Sequence, residues 1–148
     1  VEGEEVVSAV PMSRDHRPRD PKELARIEAA GGIVVQRRGI ARVMGVLAVA
    51  RAIGDAQLKA YVTAEPDVAV SVRAEETWFL ILATDGLWDV VSDKEAVELV
   101  LERMLDRGSQ FRGARRLCHE AYTRGSTDNI SVIVIDLRRR RVSYGAGK

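Results

Sequence analysis

The sequence predicts an α+β fold in which strands and helices are grouped rather than regularly alternating. Residues 77–84 (TWFLILAT) are apolar at most positions, and residues 129–137 (NISVIVIDL) are rich in β-branched residues, so both are typical of buried strands. Between these two segments, apolar residues recur at helical spacing twice. The predicted order is strand, helix, strand hairpin, two strands, two helices and strand. Because regular βαβ alternation is missing, a layered α+β arrangement is favoured over a doubly wound parallel sheet.

The composition is that of one globular domain. The chain has 148 residues, of which 46% are hydrophobic and 30% charged, and its formal net charge is +1. We therefore expect no nucleic-acid partner, which would require a basic excess, and no membrane partner, because no apolar run approaches the roughly 18 residues of a span. Cys118 is the single cysteine, which excludes an internal disulfide framework and fits a reducing compartment. The chain begins at Val1 rather than Met, so we expect it to be part of a longer protein.

The first half of the chain predicts a strand, a helix and a hairpin. Residues 6–12 (VVSAVPM) are typical of a short strand. The Asp-Pro pair at 20–21 predicts a helix start, and Gly-Gly at 31–32 predicts its end. Residues 33–35 and 41–44 are then expected to pair as strands on either side of a turn. The next segment (47–59) has helical propensity that is interrupted by Gly54 and Asp55.

The second half predicts two further helices beside the two buried strands. Residues 67–72 alternate apolar and polar side chains, which predicts a half-buried strand, and residues 77–84 predict a central strand covered on both faces. Asp93 is the expected N-cap of a helix over 95–107, and a second helix is expected over 113–123. We assign residues 1–137 to the folded domain and residues 138–148 to a basic, glycine-containing tail.

Acidic residues lie at the edges of the two buried strands. Asp85 follows one strand and Asp128 precedes the other, so antiparallel pairing would place both at one rim of the sheet. Two adjacent carboxylates require a positive partner, and Mg²⁺ or Mn²⁺ is the hard cation that oxygen ligands select. Asp89, four residues after Asp85, is expected to face the same space and to orient water. The alternative is that these residues only form turns and loop caps.

Four motifs, taken together, resemble the C-terminal half of a metal-dependent serine/threonine phosphatase of the protein phosphatase 2C type. They are GVLAVARAIGD (45–55), AEPDV (64–68), LATDGLWDV (82–90) and GSTDNISVIVIDL (125–137). An upstream segment, SRDHRPRDPKELARIEAAGG (13–32), resembles the plant members. The resemblance implies a four-layer α-β-β-α sandwich in the complete domain, of which this chain would hold about half.

The resemblance also implies the chemistry. Asp85 and Asp128 match the family's metal ligands, and Asp89 matches the aspartate that hydrogen-bonds metal-bound water. Gly54 and Asp55 match a segment beside the flap that has a structural or substrate-facing role. The implied reaction is hydrolysis of phosphoserine or phosphothreonine in proteins by a water that bridges two Mg²⁺ or Mn²⁺ ions. An intracellular location, cytoplasmic or nuclear, is expected.

The sequence departs from the family pattern in two places. The chain has no DGHGG motif, which carries the first metal-binding pair, so we expect the missing N-terminal half of the domain to be a partner and the isolated chain to be inactive. Arg37 and Arg38 stand at the flap tip where members regulated by abscisic-acid receptors carry tryptophan, so that receptor lock is not expected. These arginines would contact acidic substrates or simply be solvated.

Two other functional classes compete with a phosphatase. A truncated, non-catalytic binding or decoy module of the same family is the alternative to a phosphatase. A haloacid-dehalogenase-like phosphotransferase would require a second aspartate where this chain has Leu87, and is set aside. His16 and His119 lie in a charged loop and a helix, respectively, and are expected to be structural, as is Trp88.

Overall fold

The computed structural model describes residues 7–105 and 112–138, with the side chain of residue 105 excepted. Residues 12–70 form one compact unit, and residues 7–11 together with the described residues from 71 onward form a second. The predicted tail beyond residue 138, the last two residues of the predicted helix 95–107 and the first residue of the predicted strand 6–12 lie outside the described part. No helix in that part is both long and apolar enough to cross a membrane.

The first unit contains one helix and one hairpin. Helix α1 (Pro21–Ala29) begins as predicted, because the Asp20 carboxylate accepts a hydrogen bond from Lys22 N (3.0 Å), and Gly31 adopts a φ of 81° just after its end. Strands β1 (Val34–Arg37) and β2 (Ile40–Val43) pair antiparallel, and a short 3₁₀ helix spans Ala56–Leu58. The small apolar core comprises Ile27, Val43, Ala50 and Val62.

The second unit packs helices against a two-stranded sheet. Its elements are β3 (Phe79–Ala83), α2 (Asp85–Trp88), α3 (Asp93–Leu105), α4 (Arg112–Thr123) and β4 (Val132–Asp136). Strands β3 and β4 pair antiparallel. The helices and the turn between α2 and α3 supply a core that is fully buried: Leu87, Val91, Ala96, Val100, Leu117 and Ala121.

Three predictions of local structure were wrong. Residues 7–12 form no strand, and neither do residues 67–72, whose side chains Val68, Val70 and Val72 are 82%, 94% and 95% exposed. The alternation predicts a strand with two faces, but no described strand pairs with this segment or covers its apolar face. The N-terminal capping of α3 comes from Ser92 rather than Asp93, because Glu95 N donates to Ser92 Oγ and Ser92 N donates to Glu95 Oε2.

The sheet of the second unit is covered on one face by the described residues, not on both as predicted. Phe79, Ile81 and Ala83 of β3 pack against the helical core. On the other face, Leu82 is 48% exposed and its partner across the sheet, Ile133, is 59% exposed. The described part of the chain therefore contains a sheet with one unburied apolar face.

Candidate functional site

The candidate site lies where β3 ends and the chain enters a single helical turn. Thr84 adopts an extended conformation after β3, and Asp85 is the first residue of α2. The Asp85 side chain is exposed, since α2 buries Gly86 and Leu87 instead. The apolar pattern of the turn thus directs its aspartate away from the core.

Hydrogen bonds through Thr84 extend the strand pairing into the loop that precedes β4. Thr84 N donates to Ser131 O (3.1 Å), and Ser131 N donates to Thr84 Oγ1 (3.1 Å). The Thr84 hydroxyl donates in turn to Asn129 O (2.8 Å). The side chain of Thr84 therefore holds the two loops together at the edge of the sheet.

Gly86 packs closely against the loop that precedes β4. A Cβ atom at this position would lie 2.5 Å from Asn129 O and 3.0 Å from Asn129 C, so only glycine fits without a backbone shift. The carbonyl of Gly86 also accepts a hydrogen bond from Ser126 Oγ (2.7 Å). Asp85 and Asp128 directly precede Gly86 and Asn129 in the sequence. The antiparallel pairing thus places both aspartates at one rim of the sheet, as the strand edges predicted.

Both aspartates have carboxylate oxygens that are accessible to a ligand. Asp128 is exposed, and its Oδ1 accepts a hydrogen bond from Asn129 N (2.7 Å). Within residues 7–105 and 112–138, neither Asp85 nor Asp128 forms an ion pair with a basic side chain. Carboxylates that are not neutralised by arginine or lysine are suited to bind a hard cation.

Asp89 lies at the other end of the turn that Asp85 begins. Its backbone N–H donates to Asp85 O (2.9 Å), which closes the helical turn. The side chain of Asp89 is exposed. The structure therefore places Asp89 on the same short element as Asp85, four residues apart.

The acidic residues fit Mg²⁺ or Mn²⁺ in chemistry and in number. These cations take oxygen ligands and usually keep several waters alongside one or two carboxylates. Among the described residues, no three His, Cys, Asp or Glu side chains gather as a set that could hold a metal ion. A cation at Asp85 and Asp128 would complete its coordination with water or with groups outside the described residues.

Among the described residues, Trp88 and the two histidines form no hydrogen bond or ion pair with the carboxylates of Asp85 or Asp128. Trp88 Nε1 donates to Ala83 O (3.1 Å) and its ring packs against the helical core, as expected of a packing residue. The Nε2 atom of His16 lies 3.0 Å from Asp67 Oδ2, and His119 is exposed on α4.

The structure also shows a charged cluster in the first unit that sequence reasoning missed. The buried Glu23 accepts hydrogen bonds from Arg51 Nε (3.0 Å) and from Arg26 Nη2 (3.1 Å). Burial by itself would raise the pKa of Glu23. The hydrogen bond from Arg51 has the larger effect and holds the pKa of Glu23 below its usual range. Arg51 Nη1 also donates to Asp67 (2.8 Å), and His16 together with Arg51 lowers the pKa of Asp67 to about 2. These residues are far apart in sequence, so no local signal identifies the cluster.

Comparisons with known proteins agree with the motifs. The family model for Protein phosphatase 2C matches residues 3–130. The chain is 55% identical over 133 residues to "Probable protein phosphatase 2C 68" of Oryza sativa subsp. japonica, covering 88% of this chain and 37% of that protein. It thus spans little more than a third of this relative's length.

Solved structures share the fold. A sex-determining protein of C. elegans superimposes with a TM-score of 0.79 at 33% identity, over 86% of this chain and 32% of that one. Serine-threonine phosphatase 2C from Toxoplasma gondii superimposes with a TM-score of 0.74 at 28% identity, over 84% of this chain and 46% of that one. The predicted α+β class and the predicted resemblance are both confirmed. The chain belongs to the protein phosphatase 2C family.

Proposed function

We propose that this chain contributes part of the active centre of a metal-dependent protein serine/threonine phosphatase. The observation that carries the proposal is the antiparallel pairing of β3 with β4, which continues through Thr84 and brings Gly86 against Asn129. This pairing gives Asp85 and Asp128 a common rim although 42 sequence positions separate them. A phosphoserine or phosphothreonine side chain of a protein is the proposed substrate.

The three aspartates have two proposed roles. Asp85 and Asp128 would hold Mg²⁺ or Mn²⁺, because their carboxylates are exposed and are not neutralised by described basic side chains. When bound, such cations polarise phosphoryl oxygens and lower the pKa of water. Asp89 would accept a hydrogen bond from water at this rim and so orient it. The further metal ligands would come from the remainder of the domain, its N-terminal half, and the protein would act in the cytoplasm or nucleus.

The test uses a chimera in which this 148-residue chain replaces the matching segment of the rice relative, with the parent protein as the positive control. Asp85→Asn and Asp128→Asn are each expected to reduce Mn²⁺-dependent hydrolysis of a phosphothreonine peptide by more than about tenfold, equivalent to ~1.4 kcal/mol. Asp93→Asn, an exposed acidic residue in the first turn of α3, is the matched control and is expected to keep activity.

A second readout separates metal binding from catalysis. Titration with Mn²⁺, followed by electron paramagnetic resonance of the free ion, is expected to show weaker binding in both aspartate variants than in Asp93→Asn. Folded variants that keep more than a tenth of the activity and unchanged Mn²⁺ affinity would contradict the ligand assignment. A folded chimera that is inactive with the unchanged sequence would favour the non-catalytic binding module.

The 148-residue chain by itself has a separate expected outcome. We expect it to bind Mn²⁺ weakly and not to hydrolyse p-nitrophenyl phosphate, because two aspartates supply only part of a two-metal centre. Robust Mn²⁺-dependent hydrolysis by the purified chain would show that no further ligands are required.

A further inference from the structure

A basic cleft lies between α3 and α4, in the same unit as the candidate metal site but formed by other residues. Its volume is about 420 Å³. It is lined by four arginines and one histidine: Arg103, Arg112, Arg115, Arg116 and His119. We refer to these five residues as the basic cleft.

The spacing of the α4 residues explains why they lie together. Arg112, Arg115, Arg116 and His119 occupy positions i, i+3, i+4 and i+7, which form one face of a helix. A different face is anchored in the core through Gly113, Leu117 and Ala121, which are all buried. A Cβ atom on Gly113 would lie 3.4 Å from Val100 Cγ1, so α4 packs closely on α3 at the end where the arginines begin. The buried face therefore holds the basic face in a defined position.

Two arginines of the basic cleft have no carboxylate partner among the described residues. Arg116 Nη1 lies 2.9 Å from Glu120 Oε2, but Glu120 is shared, because Arg124 Nε lies 3.0 Å from its Oε1. Arg112 and Arg115 are exposed, and neither pairs with a carboxylate within residues 7–105 and 112–138. Neighbouring cations repel one another, so an anion bound among them would be favoured.

The chemistry of the cleft favours a phosphate-bearing peptide. Guanidinium groups present paired N–H donors that match phosphate oxygens, and several arginines around one cleft are typical of phosphate recognition. A nucleic acid or an anionic membrane would require an extended basic surface, whereas this chain has a net charge of only +1. The basic cleft gathers four arginines in one place, which suits a short anionic segment.

We infer that the basic cleft binds a phosphorylated segment of a protein substrate, separate from the phosphate that is hydrolysed. The inference rests on the proposed function in one respect, namely that the bound phosphoprotein is also the substrate. It makes proteins with more than one phosphate the preferred substrate class.

Binding can be measured on the 148-residue chain without catalysis. A fluorescein-labelled peptide with two phosphoserines is titrated with the chain, and fluorescence anisotropy gives the Kd at about 100 mM NaCl. The double variant Arg112→Gln/Arg115→Gln is expected to weaken binding at least tenfold, and the unphosphorylated peptide is expected to bind at least tenfold more weakly than the phosphorylated one.

The matched control removes the same charge elsewhere. Arg19→Gln/Lys22→Gln changes two exposed basic residues of the first unit, outside the basic cleft, and is expected to change the Kd less than twofold. Equal weakening by both double variants, with each still folded by circular dichroism, would overturn the inference. So would tighter binding of a single-stranded RNA or of phosphatidylserine vesicles than of the phosphopeptide, with the same dependence on Arg112 and Arg115.

Catalysis in the chimera separates this inference from the proposed function. The unchanged chimera is expected to have a higher kcat/KM for a doubly than for a singly phosphorylated peptide. Arg112→Gln/Arg115→Gln is expected to remove that preference while leaving kcat/KM for the singly phosphorylated peptide unchanged. An active chimera with no preference would overturn the substrate assignment. An inactive chimera whose basic cleft still binds the phosphopeptide would overturn the proposed function and leave the binding site established.

Discussion

The two compact units of this chain use acidic side chains in opposite ways. In the unit spanning Met12–Val70, Glu23 is 2% exposed and is surrounded by guanidinium groups from Arg26 and Arg51. Arg51 extends the cluster to Asp67. A buried charge is tolerated only when it is paired and hydrogen-bonded. The Glu23 carboxylate therefore stabilises the fold and is not accessible to a ligand.

In the unit from residue 71 onward, the core is apolar and the key aspartates are exposed. Leu87, Val91 and Leu117 are buried in that core, whereas Asp85 and Asp128 lie at the rim of the sheet. The difference shows which acidic residues remain available for a ligand. Carboxylates that stabilise the fold are neutralised by arginine, and those proposed for chemistry are held in place by backbone contacts and β-pairing instead.

The largest effect is expected from removing the buried carboxylate charge. Glu23→Gln keeps the shape but leaves Arg26 and Arg51 without their shared counter-charge, and breaking a buried ion pair costs about 3–5 kcal/mol. Urea unfolding followed by circular dichroism measures the change. Glu28→Gln, exposed on the same helix, is expected to change stability by less than about 0.5 kcal/mol. Similar values for both variants would show that the cluster does not stabilise the first unit.

A smaller effect is expected at the contact that positions the aspartates. Gly86→Ala places a methyl group within 2.5 Å of Asn129 O, and such overpacking costs about 1–3 kcal/mol. The same variant in the chimera is expected to weaken Mn²⁺ binding, because the loops that carry Asp85 and Asp128 must move apart. Gly113→Ala is the control: its Cβ would meet Val100 at 3.4 Å, an ordinary contact within a helix. Unchanged stability in Gly86→Ala would mean that the two loops separate without cost.

The cap of α3 is expected to contribute about 1 kcal/mol. Ser92→Ala removes the hydroxyl that accepts from Glu95 N and donates to Glu95 Oε2 (2.6 Å). Thermal unfolding is expected to show a lower Tm for Ser92→Ala and an unchanged one for Asp93→Ala, since Asp93 follows the cap. A lower Tm for Asp93→Ala and an unchanged Tm for Ser92→Ala would show that Asp93 is the capping residue after all.

The smallest effect is expected from the exposed ion pairs as the pH falls. The Ser92 hydroxyl, the Ser92 N–H and Arg124 lower the pKa of Glu95 to about 2. Because the folded pKa is depressed, this group contributes stability above the ordinary pKa of glutamate, and the contribution disappears as the pH falls from about 4.5 to about 2. Glu95→Gln should therefore flatten the decline of stability over this range. An equally steep decline in the variant would assign the acid sensitivity to other carboxylates, Asp67 first among them.

Several elements could be predicted because their signals are local. The Asp-Pro start and Gly-Gly end of α1, the hairpin over residues 34–43 and the two apolar strands were all identified from residue type and spacing. The failure at residues 67–72 has a physical reason: alternation describes the side chains of a strand, whereas a strand also requires hydrogen bonds to a neighbour. The cap at Ser92 was missed because Ser92 and Asp93 are both good capping residues. Which of them caps the helix depends on which residue forms hydrogen bonds with Glu95.

The sequence by itself determined the family and which aspartates are candidates for the metal site. Motif order and residue type are local properties, and Asp85 and Asp128 adjoin strands that are recognisable from composition. Only the tertiary structure decided that those strands pair, that Thr84 and Gly86 hold the two loops together, and that four basic residues of α4 line a cleft with Arg103. The physical reason is that these contacts join residues distant in the chain, and their energies depend on distance in space rather than on spacing in the sequence.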